Sequence, residues 1–425
     1  MTTTRPAPPV YDPYAYEIHE DPYPTYARLR DEAPVYHNVE RGFWALSLHQ
    51  DVMEAFRDTE RFSSAEGVSL DPAASGPHAH RTMSFLAMDE PMHGRMRGLV
   101  SRAFTPRRVA ELEPRIRQIA AGYLAEAMEA GSFDFIEDFA GRLPMDVISE
   151  MLGLPKGDRQ ELRRLSDLLV HREEGVRDVP PEGVEAALEL VLRYSELVTD
   201  RRSSPGEDLV SALISAEIDG DRLTDDEIIG FLFLMVVAGN ETTTKLLGNA
   251  WWWAWNNPDQ RSVVFGTPGE TPHLNRVPAW VEETLRYDTS TQMLARVTTC
   301  DVELHGQVIP AGERVLLLVG SANRDPREFN HPDRYDLSRV DPASPEPMPG
   351  LASFGFGRHF CLGASLARLE SQVALEELSA NSVADYEIDP TGVRRVHSVN
   401  VRGFAALPTS VTERSKKRTD PPSVR

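Results

Sequence analysis

One helical pattern runs unbroken from Thr224 to Trp255 and sets the scale of whatever this chain folds into. Thr224 with Glu227 three residues on spells a capping box, and Pro258 closes the far end. About 32 residues at a 1.5 Å rise give roughly 48 Å, enough to cross a whole domain. The run Phe231 to Ala238 is apolar throughout, so the helix is expected to be central. Its middle, Ala238-Gly239-Asn240-Glu241-Thr242-Thr243-Thr244, breaks that pattern. Polar residues and glycine inside a buried helix cost stability. Gly239 removes a side chain and lets a flat ligand approach the backbone. Thr242 can divert a carbonyl of its own helix and open it locally. A hydroxyl beside the carboxylate of Glu241 makes a proton-delivery pair. A core helix whose threonines satisfy their own carbonyls reads the same way, and this segment alone does not separate the two.

A second short run carries the other chemical signal. Cys361 stands in Phe354-Gly355-Phe356-Gly357-Arg358-His359-Phe360-Cys361-Leu362-Gly363. The thiolate binds metal, and it forms where positive or polarised groups lower the thiol pKa. Residues 364–370 read as a helix, which puts Cys361 at its N-terminal end. Free N–H groups and the helix dipole there favour a negative sulfur. Gly357 and Gly363 are expected to bring the backbone close to a flat cofactor, in angles other residues avoid. One cysteine cannot build a zinc site. One thiolate is enough as an axial ligand of haem. The plain alternative is a buried free cysteine in a helix-capping loop.

Charge and cysteine usage narrow the classes. Net charge is −21, from 45 basic and 66 acidic residues, whereas phosphate contacts need a basic footprint, so no nucleic-acid partner is expected. Cys300 and Cys361 are the only cysteines, which excludes a disulfide framework and fits a reducing cytoplasm. Residues 1–9 are polar and Pro-rich, unlike a signal peptide. The longest apolar run, Phe231 to Ala238, is eight residues and too short for a membrane anchor.

Helical spacing also covers 106–130, 134–152, 158–171 and 181–201. Strand-like runs fall at 35–39, 43–46, 295–299, 302–304, 314–318, 386–388 and 404–407. Strands from distant parts of the chain must then share small sheets. The expected fold is mainly α with small β-sheets around the long helix. Residues 1–15 and 409–425 read as flexible tails, the second basic, flanking a single domain over 16–408.

Four motifs in this order resemble the cytochrome P450 family, of the soluble bacterial type, over roughly residues 15–408. They are Ala238–Thr243, Glu283-Thr284-Leu285-Arg286, Asn330-His331-Pro332-Asp333-Arg334-Tyr335 and the cysteine loop. Glu283 and Arg286 lie three apart on a helix and face the same way. On a surface such a pair is worth little. The resemblance implies a buried pair joined by Arg334, a triad costly to break that braces the cysteine loop. It also implies the P450 fold with its long helix crossing over haem, Cys361 as iron ligand, and haem contacts from Ala238, Gly239, Phe354, Gly355 and Gly363. His93, Arg97, Arg296 and His359 would hold the haem carboxylates by charge-assisted hydrogen bonds.

The same resemblance implies a monooxygenase with haem b, O2 as co-substrate and Glu241 and Thr242 relaying protons. Electrons would come from NAD(P)H through a ferredoxin reductase and a ferredoxin, docked near Arg95, Arg102, Arg107, Arg108 and Arg358. Pocket walls by position are Phe85, Leu86, Leu234, Val237, Ala238, Gln292, Met293, Leu294, Val399, Asn400 and Val401. Most are apolar, which favours a hydrophobic substrate: a lipid, branched fatty acid, terpenoid or sterol. A monomer is expected. The alternatives are a peroxide-driven haem-thiolate enzyme and a non-catalytic haem or lipid binder. The run Trp251-Trp252-Trp253-Ala254-Trp255 suggests packing at the end of the long helix.

Overall fold

The computed structural model describes residues 8–170, 179–266, 270–341 and 346–413. Eight helices frame the region of interest. They are α1 (Met92–Ala103), α2 (Glu113–Ala130), α3 (Arg142–Met151), α4 (Arg159–Val170), α5 (Pro181–Ser203), α6 (Asp225–Asn256), α7 (Val277–Tyr287) and α8 (Ala364–Glu377). The sequence predicts α6 to within a residue because its start is chemical as well as periodic. Thr224 Oγ1 accepts from the Glu227 N–H at 3.3 Å, and Glu227 Oε2 accepts from the Thr224 N–H at 2.8 Å. Ile228, Leu232, Val236, Leu247 and Trp251 along α6 are fully buried in the largest apolar cluster. Each such side chain contributes about 1.5–3 kcal/mol relative to exposure. Helices α3, α4, α5, α7 and α8 all pack on α6, so it is the axis of the helical part.

Two expected helices are broken by local chemistry. The 106–130 pattern divides into a short helix, Pro106–Ala110, and α2, with Pro114 in the first turn of α2. The 134–152 pattern divides into a π-helix, Phe135–Ala140, and α3. Asp134 starts the first piece: its Oδ1 accepts from the N–H groups of Ile136 and Glu137.

Small sheets complete the fold. β1 (Val35–Asn38), β2 (Phe43–Leu46), β3 (Phe62–Ser63), β5 (Leu294–Thr298) and β6 (Arg314–Leu317) form one, in the order β1-β2-β6-β5-β3. β6 pairs parallel with β2, Val315 against Trp44, and antiparallel with β5, Val315 against Arg296. A second sheet joins β4 (Ser132–Asp134), β7 (Val383–Ile388) and β8 (Pro408–Glu413), with β8 in the middle. Distant segments thus share sheets, as expected.

Both expected tails are shorter than their sequence suggests. Tyr11 is 1% exposed and packs in an apolar cluster with Tyr26, Phe43 and Leu316. β8 carries the chain through residue 413 as a paired strand. The remainder of each tail, 1–7 and 414–425 with its basic run, lies outside the described residues. No helix among the described residues is long and apolar enough to cross a membrane.

The tryptophan run is packing, as its position suggests. Trp251 is fully buried, stacked between Phe135 at 4.7 Å and Tyr386 at 3.5 Å. Trp253 Nε1 donates to Asp288 Oδ2 at 2.8 Å and Trp255 Nε1 to Glu387 Oε2 at 2.9 Å.

Candidate active site

The cysteine loop and the middle of α6 meet at one cavity. Phe354, Gly355, His359, Cys361, Leu362 and Gly363 line it from the loop; Ala238, Gly239, Thr242, Thr243 and Leu246 line it from α6. The loop is folded by its own backbone. The Cys361 N–H donates to the Phe354 carbonyl at 2.9 Å, and the Gly355 N–H to that of Ala352 at 2.8 Å. Gly355 and Gly357 have φ of 65° and 71°, which favours glycine. Gly363 has an ordinary φ of −84°. A Cβ there would sit 4.0 Å from the Cys361 sulfur, an ordinary contact, so neither φ nor space requires glycine at this position.

Cys361 opens into this cavity. Helix α8 starts three residues later, at Ala364. Burial pushes the thiol up, while the N–H groups of Gly363 and Ala364 and the charges of Arg97 and Arg368 pull it down. Without a cation at the sulfur, burial prevails over the helix terminus, so a thiolate here needs a metal or positive partner.

A brace lies behind the loop. Arg286 and Glu283 are both fully buried and make two parallel hydrogen bonds of 2.8 Å. The third member of the triad is Arg339, whose Nε lies 3.3 Å from Glu283 Oε1. Arg334 is not that member, contrary to its motif position. Its side chain is 65% exposed beside Asp336, and only its carbonyl reaches Arg286. The brace touches the loop through Asn323. Its carbonyl accepts from Arg286, its Oδ1 accepts from the Ala352 N–H, and its Nδ2 donates to Ser353 Oγ. Arg368 ties α8 to Glu282 at 2.6 Å and lies over the Phe354 ring.

Donors without acceptors gather near the loop. His93 and His359 are buried with ring centroids 4.1 Å apart. Among the described residues, neither His93 nitrogen has a hydrogen-bond partner, and neither does His359 Nδ1. Glu90 is 3.6 Å from His93 Nδ1, too far for a hydrogen bond. Burial lowers the pKa of both rings, and the charges of Arg97 and, for His359, Arg296 lower it further. Arg296 is 1% exposed and, among the described residues, its side chain donates only to the carbonyl of Ala295. Burial brings it down to about 10. Arg97 donates to the Phe360 carbonyl at 2.6 Å and lines the cavity. Buried donors left unpaired are costly. A ligand with carboxylates at one edge and a large apolar face would satisfy them, so the residues present fit haem.

The pocket positions divide. Phe85, Leu86, Leu234, Ala238 and Leu294 line the cavity. Val237 packs on the main core instead. Met293 is fully buried among Tyr26, Phe43 and Leu318. Gln292 turns to the Thr289 carbonyl at 2.8 Å, and Asn400 offers its carbonyl to the Gln292 N–H. Val399 and Val401 line a separate small recess with Tyr11 and Tyr26. Gln292 and Met293 precede strand β5, which begins at Leu294, and of the three only Leu294 lines the cavity. Cavity residues the motifs did not single out include Phe231, Met235, Leu246, Ile148, Leu285 and Glu370. Phe231, Met235 and Leu246 repeat at helical spacing with Thr242 and were readable from period alone.

Glu241 and Thr242 part company. Thr242 is on the cavity wall with Oγ1 donating to the Ala238 carbonyl at 2.7 Å. Glu241 is buried on another face of α6, with Lys245 Nζ 3.2 Å from its Oε2. Gly239 also serves packing: a Cβ there would meet Ile148 of α3 at 2.8 Å.

The comparisons agree with this geometry. The family model described as Cytochrome P450 matches residues 267–381, which hold the triad helix and the cysteine loop. The protein named cytochrome P450 123 from Mycobacterium tuberculosis is 55% identical over 405 residues, 95% of this chain and 98% of that one. The chain belongs to the cytochrome P450 family. Vitamin D(3) 25-hydroxylase of Pseudonocardia autotrophica is 36% identical, across 95% of this chain and 97% of that protein. The structure of cytochrome P450 CYP109Q5 from Chondromyces apiculatus superposes with a TM-score of 0.83 at 36% identity, covering 96% of this chain and 99% of that one. As a P450 this protein is a haem-thiolate monooxygenase, using O2 and reducing equivalents from NAD(P)H.

Proposed function

We propose that this P450 binds haem b through Cys361 and hydroxylates a bulky hydrophobic molecule of the lipid, terpenoid or sterol class. The observation that carries the reading is the cavity itself: an apolar wall from Phe85, Phe231, Leu234, Met235, Leu246 and Leu294, with Cys361 and Thr242 on the same space. The relative named for vitamin D(3) 25-hydroxylation supports the substrate class. When bound, haem supplies oxygen activation and places one O2-derived atom in a C–H bond, the other leaving as water.

The chain's own residues do the rest. Cys361 would hold the haem iron through its sulfur and would supply an electron-donating ligand to it. Arg97, Arg296, His93 and His359 would hold the haem carboxylates. Thr242 presents a hydroxyl to the cavity, and Glu241 is the acid that recharges it. The apolar wall excludes water and orients the substrate. Electrons come from a ferredoxin and its reductase, in the cytoplasm. Arg358, Arg102, Arg107 and Arg108 are exposed for such docking. Arg358 and Arg107 each pair with one acid, Glu90 and Glu111, yet stay exposed, whereas Arg95 is only 27% exposed between Asp221 and Glu227 and drops out of that group.

The test is the absorbance spectrum of the reduced, carbon-monoxide-bound protein, followed by product formation with reduced ferredoxin. A strongly red-shifted Soret band, abolished in Cys361→Ser, is the expected result. A band at the ordinary histidine-ligated position, or turnover from peroxide alone, would overturn it.

A further inference from the structure

Two histidines from opposite ends of the chain meet away from the haem cavity. His19 lies in the short helix Tyr16–Glu20, and His397 lies between the strands Arg394–Arg395 and Phe404–Ala406. Their Nδ1 atoms face each other at 3.4 Å. The rings meet at their edges, with centroids 5.5 Å apart and planes tilted by 40°. Both residues are half-buried, which leaves the gap open to entry from solvent.

A separation of 3.4 Å is long for a hydrogen bond between nitrogens. It matches the edge of a coordination tetrahedron: two nitrogens about 2.0–2.1 Å from a zinc ion stand about 3.3–3.4 Å apart. The rings are also oriented as ligands are. His19 Nε2 lies 2.8 Å from the Pro13 carbonyl and donates to it, which leaves the lone pair of the neutral ring on Nδ1. Tyr16 stacks on His397 at 3.6 Å with planes 9° apart, which fixes the second ring. Burial lowers the His19 pKa; the Pro13 carbonyl and Glu20 oppose that, and His397 and Arg402 reinforce it. The ring is therefore neutral at pH 7, as a metal ligand must be. The nearby cation is Arg402, and its charge is met by Asp288 at 2.7 Å. Among the described residues no three or more His, Cys, Asp or Glu side chains gather to hold a metal ion. The site is therefore a two-histidine one, completed by water. Imidazole suits zinc, copper and nickel better than magnesium or calcium.

We propose that His19 and His397 bind one zinc-type divalent ion through their Nδ1 atoms, as a clasp between the two ends of the chain. The ion is structural and takes no part in the oxidation. Its reach is the segment just past His397. There the Arg402 N–H donates to the Ser290 carbonyl at 2.7 Å, and Val401 bridges Thr291. Ser290 and Thr291 line the cavity, so the clasp steadies the chain that backs this wall.

The experiment titrates Zn2+ by calorimetry into haem-loaded, chelator-treated protein: the parent, His19→Gln, His397→Gln and the double variant. Glutamine keeps a hydrogen-bonding side chain, and the reduced carbon-monoxide spectrum shows that each variant is folded around haem. The parent is expected to bind one Zn2+ per chain that each variant binds at least about tenfold more weakly. Saturating Zn2+ is expected to raise the melting temperature of the parent and of none of the variants. Cu2+ in the same place is expected to show coupling to two imidazole nitrogens by electron paramagnetic resonance. Where a glutamine variant loses haem, the alanine variant takes its place, and the copper spectrum of the parent decides by itself. Equal Zn2+ affinity and equal melting shifts in parent and variants would overturn the site. Lower melting temperatures in the variants, with no effect of Zn2+ on the parent, would overturn it too and leave a hydrogen-bonded pair only.

Discussion

Replacing Glu370 by glutamine is expected to stabilise the protein, and to do so more strongly as pH rises. Glu370 sits on α8 at the cavity wall, 1% exposed, with no hydrogen-bond partner at Oε2. Burial raises its carboxyl from 4.5 to about 8. The fold therefore prefers the neutral acid, whereas the unfolded chain ionises near the ordinary value. Below pH 4.5 both states carry the proton and the group leaves stability unchanged. From there to about pH 8, stability is lost at about 1.4 kcal/mol per pH unit. The loss is about 3 kcal/mol at pH 7 and about 5 kcal/mol above pH 8. Glutamine keeps the shape and cannot ionise. Urea unfolding of parent and Glu370→Gln at pH 5, 7 and 8.5 reads the difference directly, since every other titrating group cancels between the two proteins. The curves should nearly coincide at pH 5 and separate progressively above it. A gap of the same size at pH 5 and pH 8.5 would refute the reasoning, because it would mean that ionised Glu370 finds compensation in the folded state.

Two further outcomes follow from the buried ion clusters. Arg339→Ala is expected to cost about 3 kcal/mol, since it strips a partner from fully buried Glu283, whereas exposed Arg334→Ala should stay within about 0.5 kcal/mol. Thermal melting and haem content check both, and equal losses would restore Arg334 to the triad. Asp288 is fully buried among Arg402 Nε at 2.7 Å, Tyr23 Oη at 2.7 Å and Trp253 Nε1 at 2.8 Å. Burial would raise its carboxyl, but the charges of Arg402 and Arg395 prevail and hold it at about 2, below the ordinary 3.8. Its stabilisation is complete above pH 4 and is lost as pH falls toward 2. Asp288→Asn is expected to cost about 3–5 kcal/mol at neutral pH by leaving Arg402 buried without its counter-charge. An unchanged urea midpoint at pH 7, followed by tryptophan fluorescence, would refute that.

Much of the fold was legible wherever a local rule and a period agreed. The capping box and apolar run of α6 reproduce its bounds to a residue. β8 was missed because its evidence is not local: Pro408–Glu413 pairs with β7 and with β4, whose partner residues lie 274 to 278 positions earlier at Ser132–Asp134. Nothing in Thr409-Ser410-Val411-Thr412 separates a central strand from the start of a polar tail. Likewise Tyr11 follows a Pro-rich segment, and only the cluster formed by Tyr26, Phe43 and Leu316 shows why it is buried.

At the site, motifs identified residues better than they identified directions. The cysteine loop is a single stretch whose hydrogen bonds close on themselves, so its chemistry is readable as text. The triad arginine was not, because Arg334 and Arg339 lie in the same irregular turn, and only the tertiary fold decides which side chain reaches Glu283. Adjacent residues on a helix diverge by about 100°, so Glu241 and Thr242 meet different surroundings even though the pair reads as a unit. That angle puts the hydroxyl on the cavity and the carboxylate in the interior beside Lys245. Its ion-pair partner among the described residues is Lys245, four residues on along the same helix, so that pair is readable from spacing while its burial is not.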